Sequence, residues 1–451
     1  MSAVDFRGIC WALVLVFLMG CEPPAETAQD SEEPEINLGS SFLKVGKADG
    51  VPVIEVPEGF PQEQDLAIML PMDVEPPMRA HLETYSGEAL LSQEWLNQVS
   101  RAYEPTLVED ALELENFYED WQVVSVRIAT CGPLGTYPGQ LPLGVCWPQV
   151  RIVWQPVLSD FFLDWASIWV ERYAEDRAIH ALYRVHPEAS EQGIHPALAA
   201  VQEQLATEEG FDGVTQEMMW EFYHARDRSI LRLVESVKQL RADRALGEEW
   251  SKIDWRAEYA LGEEEMKDDF HQALYRFLAA YAEPQSLHEL TSFSLPEGRV
   301  PALIDIWVFL AFDGHQGELT QRDITVLSRE DGSELVNLGL DQTVATLGED
   351  PDLEFDLERD PTLAERLDGQ VFLSAQDEER FPDVIADPQQ TFVQNTTCAT
   401  CHRLTDIGFD FHTFSYFEER ILPTISPRVV KDVEFDLLLM RSFIANINSD
   451  D

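Results

Sequence analysis

Positive charge is scarce in this sequence: 31 Lys and Arg stand against 83 Asp and Glu, for a formal net charge of −52. A surface so acidic repels phosphate backbones and anionic lipid headgroups, which argues against a nucleic-acid partner and favours basic partners, cations or a salty medium. The same excess also serves simply to keep the chain dispersed. Long apolar runs are missing beyond the first 21 residues, so no later segment reads as a membrane span. Cysteine and histidine are few, 6 and 10. There is no P-loop, no Gly-rich dinucleotide fingerprint, no Ser-His-Asp pattern and no internal repeat. Wholesale disorder is not expected, because 45% hydrophobic and 25% charged residues are ordinary for globular protein.

The amino-terminal residues have an address written into them. Arg7 makes a short positive start, and Ile9 to Met19 is apolar throughout but too short for a comfortable permanent span. The run closes with Leu18-Met19-Gly20-Cys21, which resembles a bacterial lipoprotein signal. The resemblance implies cleavage before Cys21, a diacylglycerol on its thiol and acylation of the new amino terminus. Several acyl chains anchor firmly, at roughly 0.8 kcal/mol for each buried CH₂. The expected location is therefore the cell envelope, lipid-anchored to a bacterial membrane and facing the periplasm or the cell surface. The stretch after it, to about Ser41, is rich in Glu, Pro, Ser and Asp and reads as a solvated tether.

Four cysteines are left for the mature chain, in two local pairs: Cys131 with Cys146, and Cys398 with Cys401. Val123 to Ile128 and Val150 to Trp154 are β-branched and partly alternating, as strands are, and a Gly- and Pro-rich loop between them opens at Cys131 and closes at Cys146. A disulfide there would contribute roughly 3 kcal/mol by restricting the unfolded chain. Metal binding at that loop lacks nearby His or carboxylate ligands.

Other elements follow from periodicity. Short strands and turns are expected from Phe42 to about Tyr85, a helix over Glu94 to Tyr103, and a further strand of the sheet over Ala178 to Val185. The middle reads as helical: Pro196 suits a first helical position, and Ser229 to Ala245 and Glu263 to Ala282 carry apolar residues at helical spacing. Leu303 to Phe312 is nearly all apolar, as in a central strand, and Asp331-Gly332 marks a hairpin. The expected fold class is α+β: a mainly antiparallel sheet, a helical middle section and a small C-terminal haem-binding helical tail. The corresponding divisions are a signal peptide (1–21), an acidic tether (22–41), an α+β scaffold of unassigned role (42–390) and a haem c-binding segment (391–451).

The chemistry lies in Cys398-Ala399-Thr400-Cys401-His402. Two thiols separated by two residues can add across the two vinyl groups of one haem, and the adjacent imidazole becomes the proximal iron ligand. At this composition chance would produce about 0.002 such pentads in a chain of this length. A redox dithiol and a zinc site are the competing readings. The first expects a βαβ setting, and the second needs further ligands where only His412 lies near.

The flanking residues CATCHRLTDIGF and DFHTF resemble the haem segment of the planctomycete-type cytochrome families of unknown function. Cys398, Cys401, His402, Leu404, Asp406, Gly408, Phe409 and Phe414 fit that pattern, while the Pro that follows its Asp is missing here. The layout is also similar to deltaproteobacterial lipoproteins that end in one such motif. This implies a single haem c and no particular activity.

The sixth iron ligand is left open. Met440 lies C-terminal to the motif, yet shares a helical face with Val433, Leu437 and Ile444, as a core residue would. His412 is nearest, and Met218 or Met219 are more distant possibilities. His180, His186, His195 and His224 show no ligand spacing. Phe409, Phe411, Phe414, Tyr416 and Phe417 could wall a haem or pack the tail onto the body. Three functions remain in play. One is single-electron transfer with a periplasmic redox protein, a basic one by charge complementarity; another is a haem enzyme or sensor with open iron; the third is a binding or structural surface lipoprotein. A second C-x-x-C-H, which dihaem peroxidases require, is absent.

Overall fold

The computed structural model describes residues 44–48, 51–55, 61–70, 77–103, 118–132, 145–163, 168–174, 177–188, 191, 193–243, 264–294, 308–322 and 427–447. By its contacts the chain divides into Met1–Ser41 and Phe42–Asp451, and every described residue belongs to the second unit. The fold class is α+β.

A hairpin of β1 (Lys44–Ala48) and β2 (Val51–Glu55) forms a two-stranded sheet of its own. The main sheet has eight strands, all paired antiparallel. They are β3 (Ala67–Met69), β4 (Trp121–Gly132), β5 (Trp147–Leu163), β6 (Ile168–Ala174), β7 (Arg177–Arg184), β8 (Leu287–Ser294), β9 (Val308–His315) and β10 (Glu318–Arg322). Seven run in the order β10-β9-β8-β7-β5-β4-β3, and β6 pairs with the far end of β5. The 17-residue β5 is the spine, taking β7 along its first half and β6 along its second.

The strands expected around 123–128, 150–154 and 178–185 are all present, as β4, β5 and β7. The apolar run near 303–312 becomes β9, shifted toward its C-terminal end and flanked by β8 and β10; residues 303–307 lie outside the described residues. So does the hairpin expected at Asp331-Gly332. A hairpin that was not expected joins β9 to β10, with Gln316 at φ 52° and Gly317 at φ 85°. Positive φ at both central positions is what a two-residue turn needs to match strand twist. The Trp95 indole N–H donates to the Gly317 carbonyl (2.9 Å) and pins that turn.

Helices cover one face of the sheet. A single turn, α1 (Glu63–Leu66), leads into β3, and α2 (Gln93–Tyr103) follows. Then come α3 (Pro196–Leu205), α4 (Gln216–Asp243), α5 (Glu264–Tyr281) and, after β10, α6 (Pro427–Ile447). Pro196 occupies the start of α3 with His195 as its cap, whose Nδ1 accepts from the Ala197 amide (3.2 Å). Alternation along the strands turns Trp121, Val126, Ile128, Val150, Ile152, Trp154, Ile179, Ala181 and Tyr183 to the helices. There they meet Ile230, Leu233 and Val237 of α4, Leu274 and Leu278 of α5, and Val433, Leu437 and Met440 of α6 in one core. The expected C-terminal tail is thus, over 427–447, an element of the main core.

One expected helix was too short. The apolar spacing from Ser229 belongs to α4, which begins at Gln216 and runs 28 residues. Its first turns are held by a smaller cluster in which Phe222 and Ala225 pack with Trp147, Leu198, Val201 and Leu205. Tertiary packing, not propensity, sets that start.

Candidate functional site

The residues singled out for chemistry divide by whether the structure describes them. Cys21, Cys398, Cys401, His402 and His412 lie outside the described residues, as does the aromatic group from Phe409 to Phe417. Cys131 and Cys146 form the expected disulfide, with Cα atoms 5.0 Å apart. Met440 is 0% exposed within the main core, beside Val433 and Leu437. Met218 and Met219 are half-buried against the smaller cluster. Of the four histidines, His186 and His195 come near one another, with ring centroids 6.5 Å apart, and His224 packs tilted against the exposed Trp220, centroids 4.0 Å apart. Among the described residues no three His, Cys, Asp or Glu side chains gather as a metal would require, and no helix is long and apolar enough to cross a membrane.

The sheet face opposite that core carries a row of charges that no sequence pattern announces. Register places Arg127 opposite Arg151, then Leu182, Glu289 and Asp313 across successive strands. One end of this row is neutralised by α6. Arg127 donates Nη1 to Asp432 (3.0 Å) and Nη2 to Asp436 (2.7 Å). Asp436 also accepts from the Thr130 amide (3.0 Å), and its own carbonyl accepts from the Thr130 hydroxyl (3.0 Å). The edge of β4 beyond the short β3 is thereby closed by a helix. Burial pushes the Asp436 carboxyl up, against the pull of Arg127.

At the other end Glu289, 1% exposed, takes a bond from Arg322 Nη2 (3.3 Å). Burial raises its carboxyl to about 7, opposed by Arg322. His180, on the next row, is held down at about 4 by burial and by Arg151.

Beyond the end of β7 lies a small cavity of about 40 Å³. Arg184, Arg232, His186 and Glu283 line it with Tyr281 and Glu191. Arg184 Nη2 meets His288 Nδ1 at 2.6 Å. Arg232 lies over the Tyr281 ring, 4.8 Å from its centroid, and donates to the carbonyls of His186 and Glu188, both at 2.9 Å. His186 bonds through Nε2 to the Gly193 carbonyl, which requires the proton on Nε2 and leaves Nδ1 as an acceptor. Burial pushes that imidazole below its ordinary value, against the pull of the Gly193 hydrogen bond. Glu283 accepts from the amide of Ser86 at 3.0 Å and from its hydroxyl at 2.5 Å. A polar cavity lined by two guanidiniums, two carboxylates and a bare imidazole nitrogen can hold a small polar molecule in a fixed orientation.

No known protein family, curated protein or solved structure matches this chain.

Proposed function

We propose that the chain is an exported lipoprotein carrying one covalent c-type haem and exchanging single electrons with a redox partner in the bacterial envelope. The observation that carries this reading is the pentad Cys398-Ala399-Thr400-Cys401-His402. Its donor set fits the group: two thiols at the spacing of the vinyl carbons and an imidazole next to the second thiol. Haem, when bound, supplies a one-electron iron couple. Cys398 and Cys401 would hold it as thioethers, and His402 would ligate the iron through its imidazole. The apolar Ile9 to Met19 run with Cys21 behind it supports export and lipid anchoring, and the Cys131–Cys146 disulfide suits the oxidising compartment that haem attachment requires. With a net charge of −52, a basic redox partner would be steered to the surface.

Met440 and His412 are the nearby candidates for the distal iron position. Enclosure of Met440 in the core weighs against it and favours His412 or a more distant side chain. The same observation favours, as a second reading, an open iron that binds a small ligand, as in a sensor or a peroxide-using enzyme. Mass spectrometry of the mature protein, matured in a host that attaches haem c, tests the principal reading. The mass should exceed polypeptide plus lipid by one haem, and a bare mass overturns it. The reduced absorbance spectrum then separates six-coordinate low-spin iron, expected for electron transfer, from five-coordinate high-spin iron.

A further inference from the structure

The cavity at the end of β7 holds two buried charges of opposite sign, neither in an ion pair among the described residues. Arg184 is 6% exposed, and its Nη1 finds no hydrogen-bond acceptor there. Glu283 is 4% exposed, and its partners, the amide and hydroxyl of Ser86, are neutral. Burying an ionised group is costly unless it is paired: Arg184 is attracted by Glu289 and Asp313 without forming an ion pair with either, and Glu283 is held only by neutral donors. The remaining lining matches in kind: Arg232 adds a second positive charge and Glu191 a second negative one. His186 presents Nδ1 as an acceptor that is buried without a hydrogen bond.

From this we infer that the cavity binds a free α-amino acid through its backbone charges, the carboxylate on the Arg184 and Arg232 side and the ammonium on the Glu283 and His186 side. A simple anion would be attracted by the guanidiniums and repelled by Glu283 and Glu191. A simple cation meets the reverse. A zwitterion satisfies both, brings no net charge into a lining whose two arginines balance its two glutamates, and offers ammonium protons to the His186 acceptor. Burial pushes the His186 imidazole below its ordinary value, in the direction of the neutral ring. This goes beyond the haem reading and does not depend on it, since no residue involved belongs to the haem pentad or its flanks.

Titration calorimetry on the full mature chain tests it, with each common L-amino acid alone and with acetate and methylammonium as the two halves of the ligand. At least one amino acid should saturate a single site, with both half-ligands weaker by about tenfold or more. Arg184→Gln and Glu283→Gln should each weaken that amino acid by about tenfold or more. Three results would overturn the proposal: no saturable binding by any amino acid, acetate binding as tightly as the best amino acid, or Glu283→Gln binding like the wild type. The comparison of whole and half-ligands on the wild-type chain stands even if a variant fails to fold.

Discussion

Arg127 Nη2 lies 2.7 Å from Asp436 Oδ2, joining the second strand of the main sheet to a helix more than three hundred residues further along the chain. Both groups are largely enclosed, and Asp436 also accepts from the amide of Thr130 on β4. Removing Asp436 leaves the buried Arg127 with Asp432 alone and takes the acceptor from the Thr130 amide. Asp436→Ala should therefore cost about 3 kcal/mol in urea unfolding. Replacing both residues together, as Arg127→Met with Asp436→Leu, should recover part of that loss. A single variant with wild-type stability would show that α6 does not depend on this contact.

Glu289 is where pH should act on stability. Its carboxyl is pushed from 4.5 to about 7, chiefly by burial, so the folded chain holds a proton that the unfolded chain releases. The stability this gives is complete below about 4.5 and is lost as pH rises through about 7. His180 runs the other way: with its imidazole held down at about 4, its contribution is complete above 6.5 and is lost as pH falls toward 4. Glu289→Gln removes the first effect alone. Its stability relative to wild type should climb by a few kcal/mol between those limits and level off above them. A pH-independent difference in denaturant unfolding would mean that Glu289 keeps its ordinary acidity.

What could be read from the sequence follows physical lines. The strands β4, β5 and β7 and the disulfide were legible because alternation and β-branching are local signals and the cysteines bracket a turn-rich loop. The first turns of α4 were not, because Phe222 and Ala225 are buried by Trp147 and α3, a contact that no local pattern announces. The same limit hides the cavity. Arg184 and Glu283 each look like a solvated charge beside an apolar segment, and only the pairing of β7 with β8 brings the two neighbourhoods together. The haem pentad is the opposite case: its chemistry is complete within five consecutive residues.

The disulfide offers a cleaner stability test. Cys131 and Cys146 are 15 residues apart in sequence and join the end of β4 to the start of β5. Their cross-link restricts the unfolded chain, and a loop of that size is worth about 3 kcal/mol. The pair Cys131→Ser and Cys146→Ser should lose about that much in urea unfolding under oxidising conditions, with the wild type showing a comparable loss on full reduction. Equal stability of oxidised and reduced wild type would contradict it.

Met440 separates a packing role from an iron-binding one in a single variant. Its side chain is fully enclosed with Val433 and Leu437 of its own helix in the core built on the central strands. Truncation there removes buried apolar volume and leaves a cavity, so Met440→Ala should cost about 3 kcal/mol. If the residue only packs, the haem-loaded variant should keep the wild-type reduced spectrum and potential, since nothing at the iron changes. Were Met440 the sixth ligand, the thioether would be lost from the iron and the potential would fall with it. Met440→Leu sharpens the distinction, because it conserves volume at a cost under about 1.5 kcal/mol while still removing the sulfur. A nearly wild-type melting curve with an altered spectrum in Met440→Leu would assign the ligand to Met440. An unaltered spectrum would direct the search to His412.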